Sequence, residues 1–481
     1  MRGDAFGTPV VGLGRLLAFG ALAWCTACTS GVVSSPGFDG RGFDGNKADE
    51  AFDMTAIDGG PFDVDGRAPA GACAPTPAPS ALDVNVAVDS GAAYGTHTFD
   101  VPSKTNWVNA GVFLEPGESA TIEVTGGQWS SNGSAPHGPG GRTPATLERG
   151  CPIGALAARV GLTYEGALTC LASGVGTITA SAAGPVFLGM VVGTDLSETY
   201  HSRVPTSGAL TVRVTSTANS IPVVTVDELD CADLSTIRSG HVELAGRHVS
   251  VLAPVAAYNR DAWSAALSIT TLDEIYEIEA ELRGTTPHEG QRIRFVADPA
   301  IQNVGYMLAG NPIRMVPDLM TGNDTQRILR ASLPATDIWG FAHELGHTFT
   351  MVGGTWTYMV LNLESWPNVF TLYALERLGR NQGQPNVATY CDGKSAYLAS
   401  GAYATFKSDP FVQLCFLMEF TKAYGYDVWK RFYAAMNTTT NGDIGYNGSD
   451  ASVWRFARDR LSAAAGTDVT PTFNAWRVPL Q

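Results

Sequence analysis

The sequence has few of the features that nucleic-acid-binding or membrane-spanning proteins need. Lys and Arg total 31 against 46 Asp and Glu, so the net charge is −15 and the acidic surface repels phosphate groups. After residue 28, no uninterrupted apolar run reaches the roughly 18 residues of a membrane-spanning helix. Beyond Cys25/Cys28 there is also no Cys-x-x-Cys pair, so spacing alone does not mark the eight cysteines as metal ligands.

The length of 481 residues favours two or three domains. The first 28 residues have the layout of a signal peptide, with arginines before an apolar run that ends in small residues. Thr26-Ala27-Cys28 resembles the end of a bacterial lipoprotein cleavage box, in which the cysteine becomes lipidated. We therefore expect an exported protein, either a lipoprotein held at the outer membrane or cell surface through Cys28 or a secreted protein.

Residues 29–80 have no helical or strand periodicity and predict a flexible linker. A Phe-Asp pair recurs four times, and the segment ends in alternating prolines. The acidic, glycine-containing stretch from Asp39 to Asp49 could alternatively be a calcium loop, but it has neither EF-hand spacing nor flanking helices. An acidic spacer is the simpler interpretation.

Residues 81–231 alternate short Val/Thr/Ile runs with Gly/Ser/Pro turns, which predicts an antiparallel β-sandwich. Strands are expected in the runs Ala120–Val124, Gly176–Ala180, Val186–Val192 and Ala209–Val214.

Within this region, several short motifs resemble the bacterial calcium-dependent galactophilic lectins. They are Leu114-Glu-Pro-Gly-Glu118, Gly127-Gln128-Trp129, Gly138-Pro139, Gly154-Ala155-Leu156, and Asp195 with Thr199-Tyr200. The resemblance implies a jelly-roll, galactose-binding-like sandwich in which Asp195 and the carbonyl of Thr199 ligate Ca²⁺ and the ion binds galactose-type glycans. A different glycan specificity and a purely structural spacer remain as alternatives.

Export would permit disulfide bonds, and six cysteines are candidates for them. The simplest pairing joins the two cysteines that flank the β-rich region, Cys73 and Cys231, and so ties its ends together. Six cysteines allow fifteen pairings, so the sequence leaves the pairing open. The candidates are Cys73, Cys231, Cys151, Cys170, Cys391 and Cys415.

The most informative segment is His343-Glu344-Leu345-Gly346-His347, a His-Glu-x-x-His motif. On a helix, positions i and i+4 share one face, so His343 and His347 can bind one zinc ion, and Glu344 can act on a water molecule beside it. The apolar residues around the motif and a cap at Thr336 or Asp337 predict a buried helix.

Catalytic zinc sites use three protein ligands, so a third ligand is expected downstream. Glu364 is the first candidate, in a segment whose apolar spacing predicts a second amphipathic helix with Pro367 in its first turn. Glu376 is the alternative. Asn368, one turn after Glu364, could support a ligand histidine.

Residues 232–481 resemble the enhancin-like, mucin-directed zinc metallopeptidases. In that family the zinc helix is followed by a Glu-x-x-x-Asn-x-x-x-Leu-Tyr helix, which here begins at Glu364 and ends at Tyr373. An upstream block around Gly305 to Ile313 and the end of the chain also match. The resemblance implies a mainly α, gluzincin-type zinc peptidase domain that hydrolyses peptide bonds in O-glycosylated, mucin-like proteins.

We therefore expect an exported zinc endopeptidase with ligands His343, His347 and Glu364 and with Glu344 as the general base. Tyr306 and Tyr373 could stabilise the oxyanion, although packing is their more ordinary role. Two alternatives remain open: a surface adhesin that binds glycans without catalysis, and a zinc peptidase without glycan dependence.

Overall fold

The structure is a computed structural model that describes residues 93–481 with short gaps. The gaps are residues 132–133, 144, 163–166, 193–205, 230–233, 235–236, 287–290, 304, 323–324, 351–363, 382–383 and 440–441. The predicted signal peptide, linker, lipidated Cys28, cysteines Cys73 and Cys231, and calcium candidates Asp195 and Thr199 lie outside the described residues. Within the described part of the chain, no helix has the length and apolar character needed to cross a membrane.

The N-terminal part of the described chain is rich in β-strands. In β10, Leu210, Val212 and Val214 are buried, whereas the alternating Arg213 is exposed, which is the period-two pattern of a strand with one face on the core. The strands are β1 (Ala93–Pro102), β2 (Val108–Leu114), β3 (Ser119–Ser130), β4 (Leu147–Glu148), β5 (Cys151–Pro152), β6 (Leu156–Val160), β7 (Thr169–Cys170), β8 (Val175–Thr179), β9 (Gly184–Met190) and β10 (Ser207–Ser220).

Eight of these strands form one antiparallel sheet. Its order is β7-β6-β9-β2-β10-β3-β8, and β1 also pairs with β10. Strands β4 and β5 form a separate ribbon, which a disulfide between Cys151 and Cys170 joins to β7. The prediction of a β-rich N-terminal region is confirmed, whereas the jelly-roll, galactose-binding-like fold stays a prediction.

A second, six-stranded sheet belongs to the C-terminal region, and the prediction of a mainly helical domain did not include it. Its order is β11-β12-β13-β14-β16-β15. Strands β13, β14 and β16 are parallel, and β15 pairs antiparallel to β16 at one edge. The strands are β11 (Val223–Thr225), β12 (His241–Ala245), β13 (Val249–Pro254), β14 (Ile293–Ala297), β15 (Met307–Leu308) and β16 (Ile313–Met315).

Helices make up the rest of the C-terminal region. The longest, α1, packs against β13 on one side and against α3, α4 and α9 on the other. A disulfide between Cys391 and Cys415 ties the segment after α5 to α8. The helices are α1 (Val255–Arg283), α2 (Asp318–Thr321), α3 (Trp339–Thr350), α4 (Pro367–Arg377), α5 (Pro385–Thr389), α6 (Lys394–Ser400), α7 (Tyr403–Ser408), α8 (Pro410–Tyr424), α9 (Asp427–Met436), α10 (Asp450–Ala465) and α11 (Thr470–Ala475).

The two regions share a buried interface. Trp107 and Phe187 of the β-rich region pack in one apolar cluster with Leu252 and Val296 of the second sheet. Polar groups cross the same interface, because Asn109 Nδ2 donates to the buried carboxylate of Glu243 at 3.1 Å. A buried apolar interface whose polar groups are hydrogen-bonded holds two regions in one arrangement.

Candidate metal centre

Helix α3 carries the His-Glu-x-x-His motif and is embedded in the core. Phe341, Leu345 and Phe349 are buried. At the start of the helix, the Asp337 carboxylate accepts a hydrogen bond from the backbone N–H of Trp339 at 3.0 Å, which satisfies one of the unpaired donors of the first turn. The structure therefore has a buried helix where the apolar pattern predicts one.

The side chains of His343, His347 and Glu364 converge on one point. His343 Nε2 lies 3.0 Å from Glu364 Oε2 and 3.1 Å from His347 Nε2, and His347 Nε2 lies 3.5 Å from Glu364 Oε2. Ligand atoms bound tetrahedrally to zinc at about 2.0–2.1 Å are about 3.3 Å apart. Within the described residues, these three side chains are the group with metal-ligand spacing, and their two nitrogens and one oxygen suit zinc.

Glu364 reaches this point from the turn before α4 and not from within a helix. Helix α4 begins at Pro367, which fits the first turn because its missing N–H needs no partner there. Helix α3 comes close to this turn at Gly346, where a Cβ would lie 2.8 Å from the carbonyl oxygen of Pro367. A side chain at position 346 would push the two elements apart. Glu376 is exposed near the far end of α4 and is not part of the cluster.

Asn368 supports two of the three converging residues, one through its side chain and one through its backbone. Its Oδ1 lies 2.7 Å from His343 Nδ1, and its Nδ2 donates to the backbone carbonyl of Glu364 at 2.6 Å. Because the amide oxygen can only accept, His343 carries its hydrogen on Nδ1, which leaves the lone pair of Nε2 for a metal. Such supporting groups orient ligands and raise their basicity.

The charges at the centre favour an ionised third ligand. Loss of water contact raises the pKa of the Glu364 carboxyl, but the charges and hydrogen bonds of His347 and His343 lower it more, so its pKa lies well below the ordinary value. Glu364 is therefore an ionised carboxylate, which is the form in which it can ligate a divalent cation.

Glu344 lies beside the cluster without belonging to it. Its side chain is only 8% exposed, and its carboxylate accepts a hydrogen bond from the backbone N–H of Ala309. Burial raises the pKa of Glu344 to about 7; the charge of Glu364 also raises it, whereas His343 and the Ala309 bond lower it. A carboxylate with a pKa near 7 can accept and return a proton at neutral pH.

The two candidate tyrosines have different positions. The Tyr373 hydroxyl donates to Glu281 at 3.1 Å and accepts from Arg377 at 2.6 Å, so it links α4 to α1. Tyr306 precedes β15 and is 42% exposed. Partial burial, together with the charges of nearby Asp337 and Asp318, raises the pKa of Tyr306 to about 12. Tyr306 is thus a protonated hydrogen-bond donor on the surface.

Sequence reasoning missed the contact between Ala309 and Glu344. The signal was present only as a resemblance, because Ala309 lies in the block from Gly305 to Ile313 that matches the enhancin-like peptidases. A backbone donor has no side-chain signature, so residue type could not reveal it. The close approach at Gly346 had a weak signal, since glycine in a helix interior is unfavourable unless another element needs the space.

Two of the residues that carry the lectin resemblance, Trp129 and Gly154, are used in packing. Trp129 is 1% exposed, and its indole N–H donates to the carbonyl of Gly154 at 2.9 Å. Trp129 also forms an isolated bridge with His137. Gly154 has a positive φ, and a Cβ there would lie 2.7 Å from the His137 ring. These residues fix the loop after β3 against the sheet.

Comparison with known proteins gives several matches to solved structures and one to a family profile. No curated protein matches the chain. A functionally unknown conserved protein from Bacillus anthracis str. Ames is 16% identical, with a TM-score of 0.52 over 80% of this chain and 76% of that chain. ZmpB metallopeptidase from Clostridium perfringens is 17% identical, with a TM-score of 0.47 over 79% and 73% of the two chains. IMPa metallopeptidase from Pseudomonas aeruginosa is 15% identical, with a TM-score of 0.47 over 82% and 52%.

The Bacillus anthracis match shows a shared fold that extends beyond the C-terminal region, since it covers 80% of this chain. The sequence itself matches one family profile over residues 232–477, more than half of the chain. That match contains helix α3, the turn of Glu364 and helix α4, and it confirms the resemblance to the enhancin-like peptidases. The chain belongs to the family described as peptidase M60, enhancin and enhancin-like.

Proposed function

We propose that the protein is a zinc endopeptidase that hydrolyses peptide bonds in O-glycosylated, mucin-like proteins. The observation that carries the proposal is the convergence of His343, His347 and Glu364 within 3.0–3.5 Å, with the buried carboxylate of Glu344 beside them. A binding-only protein has no chemical need for a carboxylate in that place. Membership of a metallopeptidase family supports the same class of reaction.

His343, His347 and Glu364 would hold the zinc ion. When bound, zinc acts as a Lewis acid that polarises the scissile carbonyl and acidifies water. Glu344 takes one proton from the attacking water, whose oxygen forms the new bond to the carbonyl carbon. The C–N bond then breaks, and Glu344 returns the proton to the leaving nitrogen. Asn368 keeps the His343 ring in the orientation that this arrangement needs.

Strand β15 offers a place for the substrate backbone. It is an edge strand, paired only with β16 among the described strands. It lies against the first turn of α3, because a Cβ at Gly340 would lie 3.1 Å from Met307 Sδ. An extended peptide can add to such an edge through backbone hydrogen bonds, which would bring it past Glu344.

The glycoprotein substrate is proposed from the resemblance to the mucin-directed peptidases, and we assign no sugar-binding residue to it. The β-rich region could bind galactose-type glycans through Ca²⁺ held by Asp195 and Thr199, which would raise the substrate concentration at the cleft. Export, with lipidation at Cys28, would place the enzyme near extracellular glycoproteins. The two alternatives, an adhesin and a peptidase without glycan dependence, predict different results with the same substrates.

The proposal is tested by incubating a mucin-type O-glycoprotein with wild type and Glu344→Gln, before and after enzymatic removal of the glycans. Zinc content is measured on both proteins. We expect wild type to cleave only the glycosylated form and Glu344→Gln to bind zinc without cleaving it. Cleavage of both forms would favour the glycan-independent peptidase. Zinc-loaded wild type that binds but does not cleave would favour the adhesin.

A further inference from the structure

The connection between β15 and β16 contacts Glu344 through the backbone of Ala309. Ala309, the first residue after β15, is 5% exposed and donates its backbone N–H to the Glu344 carboxylate. Met307 of β15 lies against Gly340 of α3. The position of this short segment therefore sets both the proposed substrate edge and one hydrogen bond of the proposed general base.

The next two residues, Gly310 and Asn311, are held by the β-rich region. The backbone N–H of Trp107 donates to the Asn311 carbonyl at 3.1 Å, and Asn106 Oδ1 accepts from the Asn311 N–H at 3.4 Å. Gly310 has φ +139°, and a Cβ there would lie 3.3 Å from Asn106 Nδ2. Asn106 is 3% exposed and Asn311 is 1% exposed, so these bonds are shielded from water.

The same segment is fixed from the other side by the second sheet. Asn311 Oδ1 accepts from the Arg294 N–H at 3.1 Å, and Asn311 Nδ2 donates to the Arg292 carbonyl at 2.9 Å. The loop that carries Asn106 is itself anchored, because Trp107 is fully buried beneath the guanidinium of Arg159 at 4.9 Å. Gly310 and Asn311 are thus clamped between two rigid elements.

We infer that Asn106, a residue of the β-rich region, positions the segment Met307–Asn311 and through it the cleft of the peptidase region. The inference rests on the proposed function, since it assigns the segment a part in hydrolysis. It makes the β-rich region a component of the catalytic apparatus and not a separable binding module. Asn106 acts through Ala309 and Glu344, so it is a positioning residue.

The test compares Asn106→Ala with Asn109→Ala in the full chain. Asn109 is equally buried in the same interface, and its Nδ2 donates to Glu243 and not to the segment Met307–Asn311. Backbone hydrogen exchange of residues 305–312 is measured for both variants, together with kcat, KM and zinc content. We expect faster exchange in this segment for Asn106→Ala only. We also expect kcat to fall about 10- to 100-fold, with KM changed less than about threefold, because misplacement by about 1 Å has that effect.

A second variant keeps the test decisive if Asn106→Ala does not fold. Gly310→Ala perturbs the segment itself, because alanine disfavours φ +139° and its methyl group would also lie 3.3 Å from Asn106 Nδ2, so it should give the same exchange and kcat changes. Unchanged exchange in residues 305–312, faster exchange with normal kcat, or equal effects in Asn109→Ala would each overturn the inference. If wild type cleaves no substrate, the proposed function fails, whereas the exchange measurement still decides whether Asn106 holds the segment.

Discussion

The two regions of the molecule use their characteristic residues differently. In the peptidase region, the nitrogen and oxygen atoms of His343, His347 and Glu364 point at one another and could bind a metal ion together. In the β-rich region, Trp129 and Gly154 instead bond each other, because the Trp129 indole N–H donates to the Gly154 carbonyl. Short motifs suggest a known family for each region, but the family profile covers residues 232–477 and not the β-rich region, so a motif alone does not separate a site from a scaffold. A site is distinguished from a scaffold by polar atoms from several residues that face one common point, where a ligand can bind.

The largest effect is expected from replacing a metal ligand. Two glutamates, Glu364 before α4 and Glu376 near its end, allow a matched comparison. Glu364→Gln should lower zinc affinity by more than about 100-fold, since even supporting groups contribute 10- to 100-fold, and should abolish hydrolysis. Glu376→Gln, at the exposed end of α4, should change neither. Zinc content after dialysis and the rate of glycoprotein cleavage measure both. Loss of zinc from Glu376→Gln with zinc retained in Glu364→Gln would contradict the assigned ligand set.

The second prediction concerns Trp129, which packs in the β-rich region. Trp129→Ala should destabilise the protein by about 3–5 kcal/mol, because it empties a large buried volume and leaves the Gly154 carbonyl without its partner. Denaturant unfolding measures the loss. Because the indole is buried, the folded fraction should retain its zinc. A variant that keeps its stability but loses binding to galactose-type glycans would instead place Trp129 in a sugar site.

Features that depend on local spacing could be predicted from the sequence, whereas features that join distant residues could not. The spacing of His343 and His347 needs only helix geometry, and Asn368 lies four residues after Glu364, so local sequence was enough to propose these residues as neighbours. The six-stranded sheet and the bonds of Asn311 join residues far apart in the chain, and their short strands have no distinctive periodicity. The Ala309 contact involves a backbone N–H, which residue type does not encode.

A smaller effect is expected at the support of the metal centre. Asn368→Ala removes the acceptor for His343 Nδ1 and the donor to the Glu364 carbonyl, so both ligands gain freedom. We expect zinc affinity to fall about 10- to 100-fold. Competition with a chelator of known affinity measures the change. Asn368→Asp retains an acceptor and should bind zinc more tightly than Asn368→Ala; equal affinities would mean that the hydrogen bond to His343 contributes nothing.

The smallest effect comes from a buried carboxyl in the peptidase region that is not part of the metal centre. Glu279 on α1 is fully buried, and within the described residues neither of its oxygens has a hydrogen-bond partner. It lies on the helix face between Tyr276, whose ring packs on Phe349 of α3, and Arg283, whose Nε donates to the Phe349 carbonyl. Burial raises the pKa of Glu279 well above its ordinary value of 4.5. The folded protein therefore keeps this proton at a pH where the unfolded chain has released it.

The sign of the effect follows from that difference. Below pH 4.5 both states are protonated and Glu279 does not affect folding; as pH rises above this value, ionisation stabilises only the unfolded chain, so stability is lost until the folded pKa is reached. Each unit between the two pKa values corresponds to about 1.4 kcal/mol. Glu279→Gln should therefore raise Tm at pH 7 by at least about 2 °C and have no effect at pH 4. Glu274→Gln, exposed on the same helix, is the control. An equal gain at both pH values, or in the control, would show that ionisation of Glu279 does not limit the stability of the peptidase region.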